Sequence, residues 1–291
     1  MSLNQTKSKN KSKRQISYTD SAGRPLHTFA VCAYGESPYL EACLRSLKKQ
    51  KMPSEILMAT STPNEHIERL ARKYGIPLCI REGEPGITRD WNFAYAKAQT
   101  PYVTLAHQDD VYLPQYTQEM YRCLSLSRDP LIFFTDYAEI REGKIVRSNT
   151  LLRVKRLMLF PLSFRSLWHS RWVRRRILSF GCPILCPSVA FVRDSLPKEV
   201  FVHHFYTDED WEAWERLSRL EGSFVYCDRI LACRRIHPDS ETSRRMKLGQ
   251  RIEEDLVMFR KFWPEPIARL IAALYKNSEK SNDLSKEKHH G

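Results

Sequence analysis

Asp109-Asp110 and Asp208-Glu209-Asp210 each set carboxylates side by side. Adjacent carboxylates repel one another unless a cation or strong hydrogen-bond donors stand between them. Hard divalent ions take such oxygens together with the phosphates of a substrate. A carboxylate fixed at the mouth of a cleft can instead take a proton from a hydroxyl, as a general base. Each cluster also has a plainer reading, because Asp and Glu are favoured at helix N-termini as caps and dipole partners. Alone, His237 in Arg234-Arg235-Ile236-His237-Pro238 is a loop histidine before proline. Beside an Asp pair, it can complete an oxygen and nitrogen metal shell.

The elements that must carry these residues follow from the hydrophobic pattern. Tyr102–Ala106 is a short apolar run that reads as a buried strand, ended by His107-Gln108 and followed by Pro114 and an amphipathic helix. Asp109-Asp110 therefore stands where ligands collect in open α/β sheets, outside the carboxyl end of a strand. Trp211, Trp214 and Leu217 recur at helical spacing, which puts the second cluster at the start of an amphipathic helix. Further strands are expected at Thr28–Ala33, Glu55–Ala59, Leu78–Arg81, Leu131–Asp136 and Phe224–Cys233. Helices are expected after Ser37 (as N-cap, with Pro38 the first helical residue), over Glu65–Tyr74 closing on Gly75, and over Thr88–Ala98. Two more run through Leu248, Ile252, Leu256, Phe259 and Trp263 up to Pro264, and over Ile267–Tyr275. Strands alternating with helices of this length specify an α/β fold with a mostly parallel sheet and helices on both faces.

Composition narrows the class. With 42% apolar residues in 291, the chain can bury a large core. Lys+Arg exceed Asp+Glu by 47 − 34 = +13, so nucleotide phosphates, nucleic acid or an anionic membrane are electrostatically suitable partners. Residues 1–25 read as a disordered basic arm without an apolar signal region, and no apolar run approaches the roughly 20 residues of a membrane helix. The eight cysteines lack zinc-knuckle or disulfide-scaffold spacing and read as core or loop thiols, Cys182-x-x-x-Cys186 included. A reduced, cytoplasmic protein is expected. Arg153–Arg176 interleaves eight basic residues with Phe160, Phe164, Trp168 and Trp172 and contains no acid. It suits either an anionic membrane face or an ordinary helix with a solvated basic side. Neither a P-loop nor a GxGxxG turn is present, so any phosphate held here must be held by metal and side chains.

Five segments, in order, resemble the family 2 glycosyltransferases of GT-A fold, bacterial cell-surface polysaccharide enzymes especially. They are Val31-Cys32-Ala33-Tyr34-Gly35-Glu36-Ser37-Pro38-Tyr39-Leu40, Arg89-Asp90-Trp91-Asn92, Ala106-His107-Gln108-Asp109-Asp110-Val111-Tyr112-Leu113-Pro114, Glu209-Asp210 through Arg216, and Arg235-Ile236-His237-Pro238-Asp239-Ser240. The resemblance spans roughly Thr28 to Ser243. It implies an inverting transferase that moves a sugar from a nucleotide diphosphate, UDP first, to a hydroxyl of a lipid-linked or growing glycan. Ala33, Tyr34 and Glu36 would line the base and ribose, and Arg89 and Asn92 would contact the nucleotide or sugar. Asp109 would hold Mn²⁺ or Mg²⁺ on the diphosphate, with Asp110 supporting and His237 closing the metal site. Asp210 would be the base, with Glu209 beside it. The family's first metal-motif acid is His107 here, and its Asp-rich segment after the second strand is Thr60-Ser61-Thr62-Pro63-Asn64. Thr60 and His107 therefore stand on the donor side with hydroxyl and imidazole groups in place of acids, which leaves bases other than uracil open.

The domain reading places a GT-A domain at 26–243 (nucleotide half 26–136, acceptor half 137–243), helices at 244–276 and a polar tail at 277–291. The partners expected are the donor, the acceptor and an anionic membrane touched peripherally at its inner face, with no nucleic acid. The rivals are a catalytically silent GT-A scaffold or binding protein and a sugar nucleotidyltransferase. A nucleic-acid-binding module would explain neither acidic cluster, and a nucleotidyltransferase would want a basic glycine-rich loop after strand one, whereas Tyr34–Pro38 has a single Gly and neither Lys nor Arg.

Overall fold

The computed structural model describes residues 17–202, 205–238 and 250–279. Residues 1–16 of the arm expected at 1–25, Asp239 and Ser240 of the last motif, Leu248, and the tail beyond Glu279 lie outside the described residues. Residues 17–25, expected in the same disordered arm, are ordered, with Thr19 bridged to Pro25 and the Tyr18 ring 5.2 Å from that of Tyr121.

Four strands build the nucleotide-side half: β1 (His27–Cys32), β2 (Glu55–Thr60), β3 (Leu78–Ile80) and β4 (Tyr102–His107). They lie parallel in the order β3-β2-β1-β4. Phe29, Ala30 and Val31 on β1 and Val103, Leu105 and Ala106 on β4 are fully buried, as a strand covered on both faces must be. Helices α1 (Leu40–Lys48), α2 (Glu65–Tyr74) and α3 (Ile87–Lys97) connect them. On α2 the Asn64 side chain caps Ile67 N–H, and Gly75 closes the helix at φ 58°, a left-handed cap that glycine adopts without Cβ strain.

The chain then doubles back. A short β5 (Val111–Tyr112) leads into α4 (Tyr116–Leu124), followed by the long β6 (Pro130–Arg141) and its hairpin partner β7 (Lys144–Val146). Helices α5 (Thr150–Leu159) and α6 (Arg171–Leu178), joined by short 3-10 turns, precede β8 (Ala190–Val192). Next come α7 (Glu209–Leu217), β9 (Ser223–Ile236), α8 (Gln250–Arg260) and α9 (Glu265–Glu279). The sheet continues β4-β8-β6-β9-β5, with β8 and β5 antiparallel to their neighbours and β6 parallel to β9. The expected mostly parallel sheet is therefore present, with antiparallel strands confined to its second half.

Two expectations change in detail. Ser37 does not cap α1. The helix begins at Leu40 without a side-chain cap, and the Ser37 hydroxyl donates instead to Asp109 at 2.8 Å. Arg153–Arg176 is not one helix, and it is only partly a surface. Trp168 and Arg174 are buried, the latter donating to the carbonyls of Gly222 and Leu220, while Arg156 and Arg175 pair with Asp136 and Glu215. No helix among the described residues is long and apolar enough to cross a membrane.

Candidate active site

The carboxyl ends of β1 and β4, the start of α3, the Cys182–Pro187 loop, the start of α7 and the end of β9 surround one cleft of about 410 Å³. It brings together Ala33, Tyr34, His107, Asp109, Asp110, Glu209 and Asp210, drawn from three distant parts of the sequence. The two acidic clusters face a common space.

At the strand end, the turn after β4 is closed by Asp110 N–H donating to the His107 carbonyl at 3.1 Å. That turn sends the two acids different ways. Asp110 is buried, accepts Arg235 N–H at 2.9 Å, and has its carboxyl pushed up to about 7 by burial. Asp109 stays half-buried, with one oxygen on the Ser37 hydroxyl and the other 3.3 Å from His237 Nε2. Arg235 fastens this corner to the sheet: its Nε donates to the Asp109 carbonyl at 3.0 Å, and its guanidinium lies 4.4 Å over the Tyr39 ring. Asp109 and His237 thus present one carboxylate oxygen and one imidazole nitrogen, a donor pair that suits Mn²⁺ or Mg²⁺ with substrate oxygens and water as further ligands.

Of the three residues expected on the metal side, Asp109 and His237 approach each other at 3.3 Å, while Asp110 is buried and accepts Arg235 N–H. Elsewhere, among the described residues, Glu119, Cys123 and Cys227 bring one donor atom each within 4.8 Å of one another, and Glu119 there already pairs with Arg122 and Arg229.

His107 stacks on Trp91, with ring centroids 4.9 Å apart. Burial pushes its imidazole down to about 4, so it is neutral near pH 7. Its Nε2 is fully buried and has no hydrogen-bond partner among the described residues. Gln108, not singled out from sequence, grips the Tyr34 backbone through both its groups, at 3.0 and 2.9 Å, and leaves the Tyr34 ring half exposed beside the cleft.

The Arg89-Asp90-Trp91-Asn92 motif divides differently from expectation. Arg89 is exposed outside the cleft, and Asn92 is spent on structure, bonding both Phe201 backbone groups at 2.7 and 3.1 Å. Asp90 and Trp91 line the cleft instead. Asp90 is held by Arg81, Ser61 and Gly86 N–H at 2.7, 2.9 and 3.2 Å. Glu36 is exposed in its turn, and Thr60 is buried with its hydroxyl accepting Thr62 N–H; neither lines the cleft.

Asp210 stands in the first turn of α7, where the helix dipole favours a carboxylate, and accepts Trp211 N–H at 2.7 Å. Trp211 and Trp214 are fully buried; Trp214 stacks on Phe191 and Trp211 meets Phe259 of α8, so the helix cannot rotate the acid away. The strand of chain before α7 is gripped from α8. Glu254 accepts Tyr206 N–H, Thr207 N–H, the Thr207 hydroxyl and Asp208 N–H, at 2.9, 2.8, 2.6 and 3.2 Å. Nothing local marks Glu254, because its partners lie more than forty residues earlier. Cys182 and Cys186 form the adjoining wall, their thiols pushed up by burial and then by the charge of Asp210, which keeps them protonated and inert. Lys155, Arg234 and Arg235 add positive charge to the same cleft, suiting a diphosphate.

The sequence model of glycosyl transferase family 2 matches residues 28–196, more than half of the chain. No curated protein matches the chain. Among solved structures, S. aureus TarS 1-349 in complex with UDP-GlcNAc superposes with a TM-score of 0.55 at 15% identity, over 88% of this chain and 72% of its own. The mannosyltransferase PcManGT from Pyrobaculum calidifontis, in complex with GDP-Man and Mn²⁺, gives 0.57 at 14%, over 93% and 74%. At these identities the likeness establishes the architecture, which is GT-A.

Proposed function

Since this chain belongs to glycosyl transferase family 2, we propose that it is an inverting, metal-dependent enzyme transferring a sugar from a nucleotide diphosphate to a hydroxyl of a lipid-linked or growing glycan. The observation that carries this reading is the convergence of Asp109 and Asp210 on one cleft, one acid at a strand end and the other at a helix start. A UDP-sugar is the first candidate donor; TarS is solved with UDP-GlcNAc and PcManGT with GDP-Man and Mn²⁺, so both bases belong in the test. Synthesis of cell-surface polysaccharide on the cytoplasmic side of a membrane is the setting that suits such an acceptor.

The residues divide the work. The Tyr34 ring and the stacked Trp91-His107 pair receive base and ribose, and Asp90 offers an acceptor on that side. Lys155, Arg234 and Arg235 attract the diphosphate. Asp109 and His237 would hold Mn²⁺ or Mg²⁺, which when bound neutralises charge on the leaving diphosphate. Asp110 keeps that corner in place from beneath. Asp210 takes the proton of the acceptor hydroxyl, whose oxygen attacks the anomeric carbon from the face opposite the diphosphate and inverts it. Glu209, buried beside it, completes the wall.

Calorimetry against UDP, GDP, CDP and dTDP, with and without Mn²⁺, tests the reading. One diphosphate is expected to bind in a metal-dependent way, and Asp109→Ala to weaken it at least about 100-fold. Absence of binding by every nucleotide would leave the silent scaffold as the better description.

A further inference from the structure

The basic, acid-free character of this chain extends beyond Arg153–Arg176. From Gly143 to Arg193 there is no acidic residue at all. The fold decides which part of that stretch meets solvent. On α5, Leu152 and Leu159 point into the core, and Arg156 turns to Asp136. Val154, Leu157 and Phe160 are exposed at intervals of three residues, so they share one face of the helix and its continuation. Leu157 is 74% exposed and Phe160 57%, and the Phe160 ring packs edge-on against the equally exposed Phe164 at 5.5 Å. Arg153 and Arg165, both exposed, stand at the two ends of this strip. A monomer has little reason to present adjacent large apolar side chains to water.

The same helix also walls the cleft. Lys155 lies two residues before Leu157, about 160° from it round the helix axis, and lines the space shared by Asp109 and Asp210. One helix therefore turns an apolar strip to solvent and, on its other side, a cation to the cleft.

We propose that the strip Val154, Leu157, Phe160 and Phe164, with Arg153 and Arg165, docks on an anionic lipid bilayer, and that docking holds α5, which also walls the cleft, at the membrane surface. An apolar face flanked by arginines matches the boundary between anionic headgroups and acyl chains. A second copy of the chain suits the strip poorly, because a two-fold interface would set this face against itself with no carboxylate from Gly143–Arg193 to meet the arginines. The exposed Leu270 and Leu274 on α9 lack this charge pattern, since Arg269 there is already paired with Glu265. The proposal takes from the proposed function only the role of the cleft; bilayer binding itself does not depend on which sugar moves.

Co-sedimentation of the full chain with vesicles of phosphatidylcholine, alone or mixed with phosphatidylglycerol, tests it. Binding is expected to the mixed vesicles only, and to weaken as salt is raised. The double variant Leu157→Asp/Phe160→Asp is expected to lose at least about tenfold in partitioning, and Arg153→Ser about fivefold, with unchanged thermal unfolding and nucleotide binding. A wild-type chain that ignores anionic vesicles would overturn the proposal, as would a double variant that binds like wild type. A third chain with Lys7, Lys9, Lys11, Lys13 and Arg14 changed to Ser separates the N-terminal charge from the strip. If that chain alone loses binding, the contact belongs to the N-terminus and the proposal fails. If the double variant changes the oligomeric state by light scattering but not vesicle binding, the strip is an interface between copies and the proposal fails likewise. Nucleotide calorimetry on the same samples keeps the donor reading separate: vesicle binding without any nucleotide binding would sink that reading and leave this one standing.

Discussion

The two acidic clusters solve the same problem with opposite supports. Each buries one acid and leaves its neighbour half-buried, all four lining the cleft: Asp110 is buried beside a half-buried Asp109, and Glu209 beside a half-buried Asp210. At the strand end, the support is the sheet. Ser37 follows β1, Arg235 ends β9, and both reach Asp109 directly at 2.8 and 3.0 Å. At the helix start, the support is remote. Trp211 anchors α7 against α8, and Glu254 holds three successive backbone N–H groups just before the acid. A site built on strands inherits its geometry from the hydrogen-bond ladder; one built on a helix needs another element to fix the entering chain. Substitutions at the two clusters and their supports should therefore fail in different ways.

The largest effect is expected at Asp210. Asp210→Asn should lower kcat by about 10³-fold, the size of a lost general base, while metal-dependent nucleotide binding stays near wild type. Steady-state kinetics beside calorimetry would check the split, and an equal loss of both would mean that Asp210 belongs to donor binding.

Glu254 tests whether the helix-side support matters to the reaction. Glu254→Gln keeps the size but removes the charge that serves four donors, so it should cost about 1–3 kcal/mol of stability. It should also lower kcat about tenfold with donor affinity retained. A variant that only melts earlier, with kcat unchanged below its transition, would confine Glu254 to a structural role.

The smallest effect on the reaction is expected away from both clusters, at a residue that supports the sheet itself. His27 at the start of β1 is fully buried between Ser54 and Thr104, at 2.9 and 3.0 Å, and burial pushes it down to about 3 from an ordinary 6.5. Its folded-state pKa is depressed, so the unfolded chain takes up the proton first. The contribution is present above pH 6.5 and is lost as the pH falls toward 3, at up to about 1.4 kcal/mol per pH unit. Urea unfolding of wild type and His27→Gln between pH 7 and pH 4 should show the flatter acid limb in the variant.

Much of this was legible in the linear pattern. The alternation of apolar strands and amphipathic helices, the Gly75 end of α2, and the placing of Asp109 and Asp210 at element termini all follow from short-range spacing. Spacing within a motif was less informative about which neighbour faces the cleft. In Arg89-Asp90-Trp91-Asn92 it is Asp90 and Trp91, because Asn92 satisfies the Phe201 backbone and Arg89 points to solvent. Ser37 has the residue type of a cap, yet its hydroxyl is used by an acid seventy-two residues away.

The sequence by itself determined the α/β class, the family and the placing of the two acids at element ends, since those rest on periodicity and on ordered short motifs. Only the tertiary structure decided that Asp110 is buried while Asp109 faces His237, that Gln108 and Glu254 hold the walls, and that α5 exposes an apolar strip. The physical reason is the same in each case. Burial and hydrogen-bond satisfaction are properties of neighbours in space, and these neighbours come from β1, β9 and α8, which the chain order keeps far apart.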